Sequence, residues 1–160
     1  MKILSLNQFN EKIKANQISL SDLKDVDVDF YNYHPKTKDE LELTIKERIE
    51  NEGLKCDLND IDVSNIINMS KLFYRSNFNG DISKWNVSEV TDMNSMFYKS
   101  KFNGDISKWN VSKVTDMNSM FDNSKFNGDI SKWDVSKVTD MRYMFDNCPL
   151  KTNPPAWYKE

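Results

Sequence analysis

Five residue types in this chain could do chemistry by their nature or spacing. Histidine occurs once, as His34, followed by Pro35 in a loop-like stretch. A single imidazole with no cysteine or carboxylate set at ligand spacing provides neither a metal centre nor an oriented general base. A column of carboxylates, Asp57, Asp81, Asp105 and Asp129, recurs every 24 residues. Stacked repeats can hold calcium between turns, but a calcium shell needs roughly six to eight oxygens. Each turn offers one carboxylate in Asn-Gly-Asp-Ile-Ser, so its expected role is to accept backbone N–H groups within the turn. Trp85, Trp109 and Trp133 have the form of sugar-stacking platforms. Their alternation with polar neighbours puts them inside instead, each indole N–H reaching a carbonyl of the next turn. Met69, Met93, Met96, Met117, Met120, Met141 and Met144 are the soft residues of adaptable binding patches. Their helical spacing beside Phe73, Phe97, Phe121 and Phe145 makes them core. Cys56 and Cys148 flank the repeats and stand too far apart to bridge, so both are expected as thiols. No catalytic residue, metal ligand or cofactor site is expected.

The elements that position these residues are repeats. Phe78-Asn79-Gly80-Asp81-Ile82-Ser83-Lys84-Trp85-Asn86-Val87-Ser88 returns as Phe102–Ser112 and Phe126–Ser136, and Val90–Phe97 returns as Val114–Phe121 and Val138–Phe145. A degenerate copy runs through Leu58, Ile61, Val63, Ile66, Met69, Leu72 and Phe73. Four 24-residue units follow, at 57–80, 81–104, 105–128 and 129–152. The alternation of Trp85 and Val87 predicts a short strand, and Val90, Met93, Met96 and Phe97 predict a helical turn capped by Thr91 or Asp92. Asn79-Gly80 predicts a tight turn with positive φ. So small a unit cannot bury its own apolar residues, and stacked copies share one core.

The string F-N-G-D-I-S-K-W-N-V-S-x-V-T-D-M-x-x-M-F resembles the BspA-type leucine-rich-repeat family of bacteria, also known from mycoplasma lipoproteins, over roughly residues 38–150. The resemblance implies an α/β repeat fold: a short right-handed leucine-rich-repeat-like solenoid with a parallel strand ladder. It also implies no known catalysis and roles in attachment or protein recognition. Many members are exported, and ordinary leucine-rich repeats often carry Asn or Cys where Val90, Val114 and Val138 stand here.

At the N-terminus, residues 1–56 read as a cap. Leu23-x-x-Val26-Asp27-Val28 matches Leu58-x-x-Ile61-Asp62-Val63 and predicts a disguised strand at 23–28. Thr37-x-x-Glu40 is a capping box for a helix over 38–52, with Gly53 after its end, and residues 6–16 predict a second amphipathic helix. Residues 153–160, with Pro154, Pro155, Trp157 and Tyr158, read as a C-terminal cap, the whole forming one domain. Neither half is strongly charged: nine Lys/Arg meet eleven Asp/Glu in residues 1–56, and thirteen meet fourteen in 57–160. Nothing here points to nucleic acid or membrane insertion. The first residues lack the apolar run of a leader, so the expected location is cytoplasmic, with a surface location only by a leaderless route.

The remaining candidates face outward. Lys84, Asn86, Ser88, Lys108, Asn110, Ser112, Lys132, Asp134 and Ser136, with Glu89, Lys113 and Lys137 alongside, form a regular polar strand face. It is expected to hold a protein partner. A second contact is expected at the loop containing Phe30, Tyr31, Tyr33 and His34, whose competing role is packing against helix 38–52. The reading is therefore a non-catalytic protein–protein interaction module, monomeric or an edge-paired dimer. The alternative is a surface adhesin of the BspA-like type.

Overall fold

The computed structural model describes residues 2–15 and 26–159. Regular secondary structure is sparse. Strand β1 (Lys2–Ser5) leads into helix α1 (Leu6–Lys14), and strand β2 (Val26–Asp29) pairs with β1 in parallel, Lys2 opposite Val26 and Ser5 opposite Asp29. Helix α2 spans Lys38–Glu52. Thr37 Oγ1 accepts from the Glu40 N–H at 3.2 Å, and Glu40 Oε2 accepts from the Lys36 N–H at 2.7 Å. The capping box therefore closes one residue upstream of its usual form. Gly53 ends the helix at φ 89°, its N–H donating to the Ile49 carbonyl.

After α2 the chain winds in coils that stack on a 24-residue step. No strand crosses this region among the described residues; the parallel contact between coils is a set of isolated bridges, Asp57 with Asp81, Asn68 with Asp92, Asp92 with Asp116, and Asp116 with Asp140. The expected strand at Trp85–Val87, and with it the expected ladder, is replaced by turns. The Trp85 N–H donates to the Ile82 carbonyl at 3.2 Å and the Val90 N–H to the Val87 carbonyl at 3.0 Å. The three-residue steps from Ile82 to Trp85 and from Val87 to Val90 outweigh the single alternation, because each turn returns an apolar side chain to the interior.

The expected helical turn is also absent. Met96 donates to Met93, Tyr98 to Ser95 and Ser100 to Phe97, each closing a four-residue turn. Ser95 (φ 54°) and Lys99 (φ 52°) have positive φ, and the same holds at Lys71, Arg75, Ser119, Asn123, Tyr143 and Asn147. A spacing of three and four fits a helix and a chain of turns equally well. The N–H groups between the turn donors reach the next coil instead. Ser95, Phe97 and Lys99 donate to the carbonyls of Asn118, Met120 and Asp122, each at 2.9 Å. Backbone polarity is thus satisfied without helix or sheet.

Side chains stack in the same register. The rings of Phe73, Phe97, Phe121 and Phe145 lie 5.5, 5.5 and 6.0 Å apart, and those of Phe78, Phe102 and Phe126 lie 6.2 and 6.3 Å apart. Within a coil, Phe97 sits 4.6 Å from Phe102. Each indole Nε1 donates to a carbonyl of the preceding coil: Trp85 to Leu58, Trp109 to Ile82 and Trp133 to Ile106. Met69, Met93, Met96, Met117, Met120 and Met144 are fully buried. Gly80 serves close approach rather than positive φ: a Cβ there would lie 2.1 Å from the Cys56 carbonyl oxygen.

Both ends depart from expectation in detail. Val26–Asp29 is a strand, while residues 23–25 of the expected 23–28 lie outside the described residues. The residue paired with Ile61 is Tyr33, not Val26, so the N-terminal segment enters the stack later than its Leu-x-x-Val spacing predicts. At the other end Trp157 donates to Ile130 at 3.0 Å, continuing the tryptophan column, and Tyr158 meets Phe145 edge-on at 4.8 Å. Cys56 and Cys148 are buried thiols. Cys148 takes the place that Ser76, Ser100 and Ser124 hold in earlier coils, and burial pushes its thiol pKa up.

Because each phenylalanine is shared by two coils, Phe97→Ala should lower unfolding free energy by about 3–5 kcal/mol. Trp109→Phe, which removes one of the two hydrogen bonds to the Ile82 carbonyl and leaves that from the Trp85 N–H, should cost about 0.5–1.5 kcal/mol. Equilibrium denaturation with urea measures both.

Candidate functional site

The expected polar face is built from turn corners. Lys84, Lys108 and Lys132 are exposed. Asn86, Asn110 and Asp134 also face outward, but each is committed to its own turn through Oδ1. Asn86 accepts from the Ser88 N–H at 3.2 Å, Asn110 from Ser112 at 3.2 Å and Asp134 from Ser136 at 3.0 Å. Bonds from Ser136 hold the Asp134 pKa below the ordinary carboxylate range. Ser88 and Ser112 are half-buried and Ser136 exposed. Glu89 pairs with Lys113 of the next coil at 2.7 Å. Beyond these pairings the face presents one identical lysine per coil, at 84, 108 and 132, together with Lys137.

The aspartate column behaves as turn chemistry. Asp57 Oδ1 accepts from the Asn59 N–H at 2.8 Å, and Asp81, Asp105 and Asp129 accept from Ser83, Ser107 and Ser131, each at 2.9 Å. Bonds from these serines lower the pKa of Asp81, Asp105 and Asp129. Among the described residues no three His, Cys, Asp or Glu side chains gather as a metal site would need. No described helix is long and apolar enough to cross a membrane.

A second outward surface lies over the paired turns, and it changes along the first three coils. Tyr74, Tyr98, Asp122 and Asp146 occupy one column, and Arg75, Lys99, Asn123 and Asn147 the next. The rings of Tyr74 and Tyr98 stack at 4.9 Å. Arg75 lies over the first ring at 5.5 Å and Lys99 over the second at 5.2 Å. One coil further the character reverses: burial and the nearby Asp146 raise the Asp122 pKa, and Asn123 Nδ2 donates to it at 2.6 Å. Sequence reasoning missed this ridge because it placed the outward positions on a strand. The signal was present in the non-identical columns of otherwise near-identical units.

The aromatic loop is largely structural. His34 Nε2 lies 2.9 Å from Asp29 and Nδ1 3.6 Å from Asp62. The Tyr31 N–H donates to Asp29 Oδ1 at 3.0 Å, and its ring meets His34 edge-on at 6.3 Å. Tyr33 lies beneath Arg48, the guanidinium 5.0 Å from the ring centroid. Arg48, 9% exposed, donates to Glu52 (2.6 Å), Asp60 (2.7 Å) and the Asp57 carbonyl (2.8 Å). Burial alone would lower its pKa; the bonds to Glu52 and Asp60 outweigh that and raise it. Arg48 thus fastens α2 and the loop to the first coil, a role its helical spacing did not reveal. Phe30, 66% exposed, has the most open aromatic ring of the loop, ahead of Tyr33 at 37%.

Residues 44–157 match the family described as "Mycoplasma protein of unknown function, DUF285". The chain belongs to this family. The DUF285 match takes in the second half of α2, every repeat and Trp157, and it leaves out the aromatic loop. No curated protein and no solved structure matches the chain. What recurs along this DUF285 chain is its periodic aromatic cluster.

A folded-state pKa below the unfolded value means that the carboxylates of Asp81, Asp105 and Asp129 stabilise the fold above the unfolded pKa, about 3.9. That contribution disappears as pH falls through the folded values. The triple Asp→Asn variant keeps a side-chain acceptor in each turn but removes the proton. Its urea midpoint should fall less steeply with acidification below about pH 4 than that of the unsubstituted protein.

Proposed function

We propose that this DUF285 chain is a non-catalytic protein-recognition module, an α/β repeat solenoid of the right-handed, BspA-like leucine-rich type. In this reading the outward ridge sets the register of a bound protein. The observation that carries the reading is the division of labour between columns. Inside the stack Phe, Trp and Met recur with only Ile61, Leu72 and Leu150 departing from their columns, while outside it Tyr74/Arg75 and Tyr98/Lys99 give way to Asp/Asn at 122/123 and 146/147.

A strictly periodic face binds a partner equally well after a shift of one coil, so the lysine column alone cannot fix register. A ridge that runs from stacked tyrosines under cations to carboxylates can. The lysines at 84, 108 and 132 then supply sequence-independent attraction, screened by salt, which affects association rate more than affinity. Tyr and Arg are the side chains that concentrate binding energy at protein interfaces, which favours the Tyr74–Arg75 end as the anchor.

Two variants separate the faces once a partner has been captured from the native cell and purified. Serine at Tyr74, Arg75, Tyr98 and Lys99 should weaken binding by at least about tenfold, the loss of a single modest anchor. Glutamate at Lys84, Lys108 and Lys132 should mainly slow association at low salt. Unchanged affinity in both variants would remove both surfaces from the reading.

A further inference from the structure

The coils join by a fixed pattern that stops at Asp140–Asn147 with its donors unused. Met69, Lys71, Phe73 and Arg75 donate to the carbonyls of Asp92, Asn94, Met96 and Tyr98 at 2.7–2.9 Å. Met93, Ser95, Phe97 and Lys99 repeat this onto the third coil, and Met117, Ser119, Phe121 and Asn123 onto the fourth. In the fourth coil the same positions are Met141, Tyr143, Phe145 and Asn147, and their N–H groups have no acceptor among the described residues. A second thread runs the opposite way: Thr115 donates to Thr91 and Thr139 to Thr115, which leaves the Thr139 carbonyl as the next acceptor, with no donor among the described residues. Beside these groups lies a groove of about 620 Å³ lined by Thr139, Met141, Arg142, Tyr143 and Tyr158. Tyr143 is 60% exposed, although its counterparts in the two preceding coils are serines.

We propose that this edge docks a short extended segment of another polypeptide, running parallel to residues 139–143. The coil-to-coil interface, formed three times within the chain, supplies the geometry by continuation. A segment residue at position k donates its N–H to Thr139, the carbonyls at k+1 and k+3 accept from Met141 and Tyr143, and an apolar side chain at k+2 falls over Met141. This is strand addition carried out by a row of turns.

Other occupants fit less well. A second copy meeting edge to edge brings N–H groups against N–H groups, since the carbonyls of Met141, Tyr143 and Phe145 already accept from Met144, Asp146 and Cys148. A copy stacking head to tail needs the carbonyls of Asn68, Ser70, Leu72 and Tyr74, and α2 lies there: Lys38 donates to Ser70 Oγ, and Ile45 and Ile49 line a groove with Leu72 and Tyr74. A whole further coil would displace Tyr158 from Phe145. The site adjoins the Asp146–Asn147 end of the ridge and uses neither its tyrosines nor the lysine column.

The test titrates the ¹⁵N-labelled full chain with a blocked peptide copying Lys113–Phe121, whose Thr115, Asp116 and Asn118 occupy k, k+1 and k+3. Saturable shifts centred on the Met141 and Tyr143 amides, with slowed exchange of both, are expected. N-methylation of the peptide at Thr115 should weaken binding by about tenfold, the loss of one hydrogen bond that leaves its partner unmet. Absence of shifts at millimolar peptide, shifts centred on Tyr74 and Tyr98, or an equal response to the reversed sequence would each overturn the proposal.

Discussion

Every feature of this protein depends on a register constraint: residue i must lie against residue i+24. The constraint acts twice in each coil. Backbone N–H groups at alternate positions reach carbonyls 23 residues ahead, and each indole reaches a carbonyl 27 residues behind. A flat aromatic ring satisfies it best, because a stacked neighbour of the same shape fills the same area with no void. That explains why the inner Phe, Trp and Met columns are nearly uniform, with exceptions only in the end coils at Ile61, Leu72 and Leu150. A substitution in one coil would misfit two others, whereas an outward change leaves the packed core untouched. Near-identity inside and the freedom to vary outside are consequences of one geometry.

The two ends of the stack solve different problems. At the start, unused carbonyls must be shielded, and α2 does this with Leu41 and Ile45 buried and Arg48 tied to Glu52, Asp60 and the Asp57 carbonyl. At the finish, unused N–H groups remain, and the Trp157–Tyr158 pair covers the aromatic core beside them. The stack is therefore polar in its hydrogen bonding, capped at the acceptor end and open at the donor end. That polarity blocks simple self-assembly in either sense.

The period, the inward columns and α2 were legible in the sequence because each is written in many residues at once. The caps of α2 were legible in Thr37, Glu40 and Gly53. The local backbone was not. Ile82-x-x-Trp85-x-Val87 and Met93-x-x-Met96-Phe97 specify which side chains point inward, and a strand, a helical turn and a run of four-residue turns all meet that requirement. The deciding element is positive φ at Ser95 and Lys99, residues with no intrinsic preference for it, so only the inter-coil hydrogen bonds select it. For the same reason the outward positions were misplaced. The candidate lysines were found but assigned to a strand, and the tyrosine ridge was passed over. Trp157 carried a clear signal, standing 24 residues after Trp133, that its proline-rich surroundings obscured.

The register itself is open to direct measurement by paired cysteines. Glu89 and Lys113 touch across neighbouring coils at 2.7 Å. Two residues further on the Thr115 N–H donates to the Thr91 carbonyl at 2.8 Å, a contact that sets neighbouring coils about 4.8 Å apart, inside the roughly 4.4–6.8 Å that the Cα atoms of a disulfide span. Under mild oxidation Glu89→Cys with Lys113→Cys should close rapidly and within one molecule. Glu89→Cys with Lys101→Cys, half a coil out of step, should not. Equal closure of both pairs, or closure of the second alone, would contradict a stack built on the 24-residue step.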